Sequence, residues 1–331
     1  MLVTRAFDAE ELLARVSLFY RSLPRQEVSR EVRQLEIVVI GHLSRDLIIT
    51  PESRTETIGG GPAYAMIAPK IGALGAGIIS CVGEDFEREY HDTLRSAGLN
   101  VSGIQTRGEK STRFINEYDA EGNRTQRVES IAAPLSPSDI LPEHFGASIY
   151  HFTPLTAEEI SLSVVESLRV GGPLLSIDAQ GFLRGIEDGQ VIQREWPERD
   201  KILALADVVK FDEDELKQAY RTKSELSAVT ELFNIGPRMV LVTRDRRGST
   251  VYTRNTQKDI PLVLANSQTD PTGCGEVYTI SFLLEYMRTG DVNRAGLFGA
   301  TCSSFNVETS GPYNFPTREQ VERRMKPYSQ S

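Results

Sequence analysis

Short apolar runs alternate along the chain with longer segments in which apolar residues recur at helical spacing. A short apolar run bounded by polar or glycine-containing turns is typical of a buried strand, whereas the longer segments predict helices. The runs predicted as strands are residues 37–40, 77–82, 149–152, 174–177, 207–210 and 239–243. Strands and helices in this order predict a doubly wound α/β fold, in which helices cover both faces of a mostly parallel sheet.

The segment 104–130 interrupts this alternation. Two runs rich in β-branched and aromatic residues, 114–118 and 125–128, flank a turn signal at 121–123. That pattern predicts a β-hairpin. Together with residues 46–57, the segment is predicted to form a small β lid beside the main sheet.

Residues 1–35 precede the first predicted strand and are interpreted as an N-terminal helical arm. Their apolar stripe, which is broken at Pro24, consists of Leu12, Leu13, Val16, Phe19 and Tyr20. Such an arm serves either as a packing element or as an oligomer contact, so a homodimer stays open. Residues 36–326 are predicted to form the main domain.

Composition narrows the classes of protein. The chain has 331 residues, of which 40% are hydrophobic and 25% charged, a balance that is typical of a globular domain. Its net charge of -9 argues against a general nucleic-acid surface. The three cysteines lack C-x-x-C spacing, and no segment has signal-peptide or membrane-spanning character. We therefore expect a cytoplasmic location, with neither nucleic acid nor a membrane as a partner.

The most informative stretch for chemistry is residues 270–276, Asp-Pro-Thr-Gly-Cys-Gly-Glu. Apolar residues at helical spacing follow directly, so this glycine-rich turn precedes a helix N-terminus. Free backbone N–H groups and the positive end of the helix dipole converge there and bind anions such as phosphate. Glu276, in the first turn, is placed to take a proton from a hydroxyl group beside that phosphate. The fragment alone also fits an ordinary helix with Asp270 or Thr272 near its N-cap.

A set of motifs in the order found here resembles the ribokinase-like, or PfkB, carbohydrate kinases. The motifs are residues 59–64, 72–75, 81–85, 212–215 and 270–276, and the resemblance covers about residues 36–326. Two glycine motifs at this separation make the resemblance specific. It implies an enzyme that uses ATP and Mg²⁺ to phosphorylate a hydroxyl group of a small sugar, polyol or nucleoside.

The resemblance implies roles for the C-terminal loop, which reads D-T-x-G-A-G-D in this family. Its last Asp is the base that activates the acceptor hydroxyl, and Glu276 stands at that position here. Gly273, Cys274 and Gly275 supply the backbone N–H groups of the anion hole. The extra methylene of Glu moves the carboxylate by about 1.5 Å if the helix stays in place, and a misplacement near 1 Å costs on the order of a hundredfold in rate. Asp270, which opens the loop, is expected among the acceptor-binding residues.

The resemblance also implies an acceptor site nearer the N-terminus. The family motif G-G-x-x-x-N begins with Gly59 and Gly60, but Tyr64 stands where the family Asn contacts substrate hydroxyls. A phenol offers one hydroxyl and a large ring in place of an amide, which implies a changed substrate preference. Asp46 matches the Asp that binds sugar hydroxyls, and a solvated turn carboxylate is the alternative interpretation.

Nucleotide-binding residues are implied by two matches. Thr243, Arg244 and Gly248 belong to a turn that resembles the nucleotide-contacting T-x-G-x-x-G, with Asp245 in place of the middle glycine. The arginines of this turn either hold phosphates or face solvent. The helix and loop that bound the adenine pocket in the family are matched by Ser303 and Asn306.

Metal-binding residues are implied by the match of Asp212 and Glu215 to the family's N-x-x-E motif, which arranges Mg²⁺-linked water and phosphate. Asp in place of Asn keeps an oxygen ligand for a hard cation. An acidic first helical turn, favoured by the helix dipole, explains the same residues without a metal.

The sequence leaves three function classes to weigh. A kinase is the leading interpretation. A ribokinase-like binding or regulatory protein with impaired transfer is the alternative, because Tyr64, Asp212, Asp245 and Glu276 all depart from the family at the proposed site. A dinucleotide-dependent oxidoreductase is disfavoured, since Gly41 begins no G-x-G-x-x-G motif and the chain has no P-loop signature.

Overall fold

The first apolar run becomes the first strand in a computed structural model that describes residues 35–119, 124–221 and 224–329. The predicted arm, up to residue 34, lies outside the described residues. The strands, in chain order, are β1 (Ile37–Ile40), β2 (Ser44–Ile49), β3 (Arg54–Gly59), β4 (Ala76–Val82), β5 (Leu99–Thr106), β6 (Arg113–Tyr118), β7 (Arg124–Ser130), β8 (Ile149–Phe152), β9 (Leu174–Asp178), β10 (Arg184–Glu187), β11 (Gln190–Gln193), β12 (Val208–Asp212), β13 (Met239–Thr243), β14 (Ser249–Thr253) and β15 (Gln257–Ile260).

The helices lie between these strands or follow them. They are α1 (Ile67–Lys70), α2 (Arg88–Ser96), α3 (Leu162–Ser167), α4 (Arg199–Leu205), α5 (Glu213–Tyr220), α6 (Glu225–Ile235), α7 (Cys274–Thr289), α8 (Val292–Asn306) and α9 (Arg318–Met325). A short 3-10 helix, Gly61–Met66, precedes α1, so the helical segment after the first glycine motif is divided into two parts.

The main sheet has the order β15-β14-β13-β12-β9-β8-β1-β4-β5 within the described ranges. Neighbouring strands from β13 to β5 run parallel. Strands β14 and β15 complete one edge in antiparallel orientation. Because the parallel strands alternate with helices along the chain, this arrangement confirms the predicted doubly wound α/β fold.

Strand β1 shows why the sheet needs helices on both faces. Ile37 and Val39 belong to one hydrophobic core, while Val38 and Ile40 belong to a second core on the other side. Successive side chains of a strand point to opposite faces, so a wholly apolar strand is stable only when both faces are covered. Residues of α1, α2 and α7 to α9 fill the first core, and residues of α3 to α6 fill the second.

A second sheet has the order β10-β11-β7-β6-β2-β3 among the described strands. The predicted lid segment 46–57 contributes to β2 and β3, and the two predicted runs 114–118 and 125–128 lie within β6 and β7. Residues 104–106 instead end β5 in the main sheet. The hairpin of β10 and β11 was not predicted, because its residues are largely polar. That this second sheet acts as a lid stays a prediction.

Within the described part of the chain, no helix is both long and apolar enough to span a bilayer.

Candidate active site

Helix α7 begins without a side-chain cap. Its N-cap is Gly273, which adopts the left-handed conformation with φ 80° and ψ 0°. Asp270 and Thr272 are not the N-cap, and Asp270 Oδ1 instead accepts a hydrogen bond from the N–H of Thr272 at 2.9 Å. The N–H groups of Gly273 and Gly275 donate no hydrogen bond within the described residues. These free N–H groups make a positively polarised helix end, and its use as an anion hole stays a prediction.

Two side chains of α8 hold this loop in place. Asn306 Nδ2 donates to the carbonyl oxygen of Thr272 at 2.9 Å, and Ser303 Oγ donates to the carbonyl oxygen of Cys274 at 2.8 Å. Asn306 is buried. Both residues therefore hold the anion-hole loop in place, and this contact was not predicted from the sequence. The predicted nucleotide contact of Ser303 and Asn306 stays a prediction.

Tyr64 lies directly against the anion-hole loop. Its ring occupies the space beside Gly273 where any Cβ atom would stand, so only glycine fits at that position. The Tyr64 side chain is 3% exposed. Burial raises the pKa of the Tyr64 phenol well above its usual value, and the carboxylates of Glu276, Asp46 and Asp270 raise it further. The phenol therefore stays protonated at neutral pH and can donate a hydrogen bond.

Glu276 lies deep in the cleft at the first turn of α7 and keeps partial solvent access. Burial raises the pKa of its carboxyl group, and the neighbouring carboxylate of Asp178 adds to that shift. Lys210 and Arg184 lower the Glu276 pKa again because they are positively charged. A carboxylate with a raised pKa is a stronger proton acceptor, which suits a general base.

Asp46 and the first glycine motif form the other wall of the cleft. Asp46 Oδ1 is buried and has no hydrogen-bond partner in the described structure, and burial raises the pKa of the Asp46 carboxyl group to about 6. Gly59 is required because a Cβ atom there would overlap the Asp46 carboxylate, and Gly60 because its φ is 83°. An orphaned carboxylate oxygen is expected where a hydroxyl ligand binds.

A buried ion pair that sequence reasoning missed lies beneath the anion-hole loop. Lys210, in β12, is 4% exposed, and its Nζ is 3.2 Å from Asp178 Oδ2 and 3.9 Å from Glu215 Oε2. Burial alone lowers the Lys210 pKa, but the surrounding carboxylates, led by Asp178, outweigh it and raise the pKa. A Cβ atom on Gly275 would lie 3.2 Å from this ammonium group. The signal was a lysine within an apolar strand, because a buried charge needs a partner.

Asp212 and Glu215 form a capping box rather than an open metal site. Asp212 Oδ1 accepts from the N–H of Glu215 at 2.7 Å, and Glu215 Oε2 accepts from the N–H of Asp212 at 2.7 Å. The described residues contain no group of three or more His, Cys, Asp or Glu side chains that could hold a metal ion. Two carboxylates engaged in this way do not hold an Mg²⁺ ion by themselves, and their predicted role toward Mg²⁺-linked water and phosphate stays a prediction.

The turn predicted to contact the nucleotide has its arginines in internal ion pairs. Arg244 bonds to the carboxylate of Glu225 and, at 2.9 Å, to Thr250 Oγ1. Arg247 is paired with Glu213 at 2.6 Å. Asp245, at the family's glycine position, has a φ of 47°, in the region that favours glycine. The backbone of the turn therefore keeps the glycine-like shape although its sequence departs.

This turn borders a cavity of about 390 Å³. The cavity is lined by Arg244, Arg247, Ser249, Thr250, Tyr252, Gln257, Asp259, Ile260 and Pro261. Thr243 and Gly248, the other predicted nucleotide residues, flank the same turn, with Gly248 at a φ of 78°. Nucleotide binding at this turn stays a prediction.

Comparison with known proteins finds similarity to carbohydrate and nucleoside kinases. Residues 176–319 match the model described as the pfkB family of carbohydrate kinases. A cytidine kinase of Thermococcus kodakarensis is 28% identical over 258 residues, which cover 77% of this chain and 89% of that protein. The match to the family model includes β12 and the anion-hole loop.

Solved structures share the fold. The nucleoside kinase of Methanocaldococcus jannaschii has a TM-score of 0.76 at 24% identity, covering 89% of this chain and 99% of that chain. An Arabidopsis thaliana ribokinase, solved with ribose and ATP, has a TM-score of 0.73 at 18% identity, covering 88% of this chain and 99% of that chain. At this level of identity the likeness concerns the fold.

Proposed function

Because this chain is a ribokinase-like member of the PfkB family of carbohydrate kinases, we propose that it transfers the terminal phosphoryl group of ATP to a hydroxyl group of a small acceptor. The observation that carries the proposal is the start of α7. There, unpaired N–H groups of Gly273 and Gly275 stand next to the Glu276 carboxylate. This places an anion site and a proton acceptor within one helical turn.

The reaction needs one bond formed, one bond broken and one proton moved. The acceptor oxygen bonds to the γ-phosphorus of ATP while the bond from that phosphorus to the bridging oxygen of ADP breaks. Glu276 takes the hydroxyl proton and later releases it to solvent. The free N–H groups of Gly273 and Gly275 would stabilise the negative charge on the transferred group. Cys274 would contribute its N–H by giving up the hydrogen bond that it donates to the carbonyl oxygen of Pro271 at 3.2 Å. Positioning and charge stabilisation supply most of the rate enhancement in such a site.

We assign the acceptor to the wall formed by Asp46, Gly59, Gly60, Tyr64 and Asp270. The unpaired oxygen of Asp46 accepts a hydrogen bond from an acceptor hydroxyl. Tyr64 presents an aromatic ring and one donor instead of an amide. Unlike a simple polyol or sugar, a nucleoside carries both a vicinal diol and a flat ring. The diol would suit the Asp46 carboxylate, and the flat ring would suit the aromatic ring of Tyr64. The similarity to a cytidine kinase supports a nucleoside acceptor.

We assign the donor to the opposite wall. Thr243, Arg244 and Gly248 would contact the nucleotide at their turn, while Ser303 and Asn306 border it from α8. Such a contact requires Arg244 to exchange part of its bonding with Glu225 for phosphate. The known use of ATP by a ribokinase of this fold supports ATP as the donor. Mg²⁺ in this proposal enters with the nucleotide phosphates, since Asp212 and Glu215 are already bonded to each other.

A regulatory protein with impaired transfer is the second candidate. The observation that favours it is the Tyr64 ring beside Gly273, which narrows access to the anion-hole loop. In this alternative the cleft binds a nucleoside or nucleotide, and no phosphorylated product forms. The proposed cellular location is the cytoplasm for both candidates, and a homodimer is an additional proposal that neither candidate requires.

Product analysis separates the two candidates. Purified full-length protein is incubated with ATP, Mg²⁺ and, separately, cytidine, other nucleosides, myo-inositol, D-ribose and D-fructose. The kinase proposal expects a phosphorylated product from at least one acceptor, formed by wild type and lost in Glu276→Gln. Ligand binding by calorimetry without product from any acceptor would instead establish the regulatory alternative.

A further inference from the structure

We infer that Tyr64 and Glu276 form a matched pair that sets where the reacting hydroxyl lies above the anion-hole loop. The inference rests on the proposed kinase function and concerns two residues at which the chain departs from its family. Each departure alone would misplace the acceptor relative to the base. The Tyr64 ring lies against Gly273, three residues before Glu276, and the Glu276 carboxylate acts electrostatically on the Tyr64 phenol. In this inference each departure offsets the effect of the other.

Tyr64 occupies a fixed position. Its ring fills the space against Gly273, and Phe315 packs edge-on against it with ring centroids 6.4 Å apart. The 3-10 helix that carries Tyr64 starts at Gly61, where a Cβ atom would overlap Thr153. Because both ends of this segment are closely packed, the ring has little freedom to swing aside.

The ring displaces the acceptor. An amide side chain at position 64 would leave open the volume beside Gly273 that the phenol ring fills. An acceptor in this cleft must therefore lie farther from the helix end than it would above a smaller residue. Glu276 carries its carboxylate one methylene, or about 1.5 Å, farther from the backbone than Asp would. The longer side chain thus follows the displaced hydroxyl and keeps it within hydrogen-bond reach.

The Tyr64 hydroxyl provides a second contact. The hydroxyl donates no hydrogen bond to any residue in the described part of the chain, and it is not fully enclosed by the protein. Burial raises its pKa, and the carboxylates of Glu276, Asp46 and Asp270 act on it electrostatically and raise that pKa further. A protonated phenol among carboxylates has a hydrogen bond to give, and the acceptor oxygen between Tyr64 and Glu276 is the group that can receive it.

A double-mutant cycle tests the pairing. Wild type, Tyr64→Asn, Glu276→Asp and the double variant are compared with ATP and cytidine, or with whichever acceptor wild type uses best. We expect each single variant to lose on the order of a hundredfold in kcat/KM, because each misplaces the hydroxyl by about an ångström. The double variant restores the family's own combination of residues, so its loss should be at least tenfold smaller than the product of the two single losses.

The contradicting result is a double variant whose loss equals that product within twofold, while wild type remains active. A wild type that is inactive on every acceptor contradicts the kinase proposal itself, and the pairing with it, so the two failures are distinguishable. Tyr64→Phe guards against misfolding of the Asn variant, because it keeps the ring. It should retain the sensitivity to Glu276→Asp and lose less kcat/KM than Tyr64→Asn, since only the single hydroxyl contact is lost.

Discussion

Lys210 and Asp178 lie opposite each other on neighbouring parallel strands, and their side chains form an ion pair of 3.2 Å beneath the anion-hole loop. The pair is closed off from solvent, so each charge depends on the other for compensation. The pair supports the first turn of α7, because Gly275 packs against the ammonium group. The stability of the site can therefore be tested apart from its chemistry.

Replacing Lys210 with Met should destabilise the fold. The variant leaves Asp178 and Glu215 buried without a cation, and breaking a buried pair costs about 3–5 kcal/mol. The free energy of unfolding is measured by urea denaturation at pH 7. Lys217→Met is the matched control, because Lys217 is exposed on α5 and should leave the unfolding curve unchanged. Equal curves for the two variants would contradict the buried pair.

Gly273→Ala should remove activity and reduce stability. Alanine is strained at φ 80°, and its Cβ atom would also overlap the Tyr64 ring. Gly290→Ala is the control, because Gly290 ends the same helix at φ 68° with open space around it. That control should cost about 1 kcal/mol and keep full activity, since only the backbone strain remains. A Gly273 variant that resembles the Gly290 variant in both measurements would contradict the Tyr64 contact.

Glu276→Gln should lower kcat by about 10²–10⁴-fold, because the amide cannot take the hydroxyl proton. Nucleotide affinity should change little, since the anion-hole N–H groups belong to the backbone. Turnover is measured by coupled ADP detection and affinity by calorimetry. Glu319→Gln on the exposed face of α9 is the control, and it should match wild type. Retention of turnover in Glu276→Gln would reject this residue as the base.

Asp46 should make acceptor binding depend on pH. Its carboxyl pKa is raised to about 6 by burial, so protonation below pH 6 removes the hydroxyl-binding carboxylate and raises the acceptor KM. In Asp46→Asn the acceptor KM should be high and flat across the same range. The measurement is a KM profile between pH 5 and pH 8 for both proteins. A wild-type KM that is flat to pH 5 would contradict a role for this titration.

The same residue should cost stability above pH 6. Between the ordinary Asp pKa and about 6, the folded protein binds more protons at Asp46 than the unfolded chain, so unfolding free energy falls as pH rises through this window. Asp46→Asn removes this cost, which is at most about 3 kcal/mol for a shift of this size. Urea denaturation at pH 4 and pH 8 should show the variant gaining on wild type only at the higher pH. An equal difference at both values would contradict the raised pKa.

Mg²⁺ should have no effect on the protein alone. The described residues hold no cluster of three or more His, Cys, Asp or Glu metal ligands, and one carboxylate oxygen each of Asp212 and Glu215 is used by the capping box. Mg²⁺ should therefore leave the melting temperature unchanged without ATP and raise it with ATP, while EDTA should abolish turnover. Thermal scans with and without both additives provide the measurement. Stabilisation by Mg²⁺ alone would reveal a protein-held site and contradict this account.

Much of the fold follows from local patterns. The parallel strands of the main sheet are apolar along their whole length, because helices cover both faces, and such runs are visible in the sequence. The hairpin of β10 and β11 gave no such signal. Its exposed, polar residues take their strand conformation from pairing with β7, which depends on tertiary contacts.

The site divides in the same way. The glycine-rich loop could be predicted because its chemistry is contained in seven consecutive residues. Two contacts join distant parts of the chain, the one between Tyr64 and Gly273 and the ion pair of Lys210 with Asp178. No local pattern in the sequence predicts either contact. Asn306 and Ser303 looked like nucleotide residues, while the folded chain shows them bonded to the loop. Spacing in a sequence identifies a motif, whereas the partners of each side chain follow from the packing.

The contact between Tyr64 and Gly273 also bears on how such an enzyme changes over generations. One residue lies early in the chain and the other late, so under the proposed function the segment that would select the alcohol is packed directly against the segment that would move the phosphate. A change of acceptor alcohol during evolution would then require matching changes in both segments. Chimaeras that exchange one of these segments between distant relatives should therefore lose catalysis more often than the shared fold suggests.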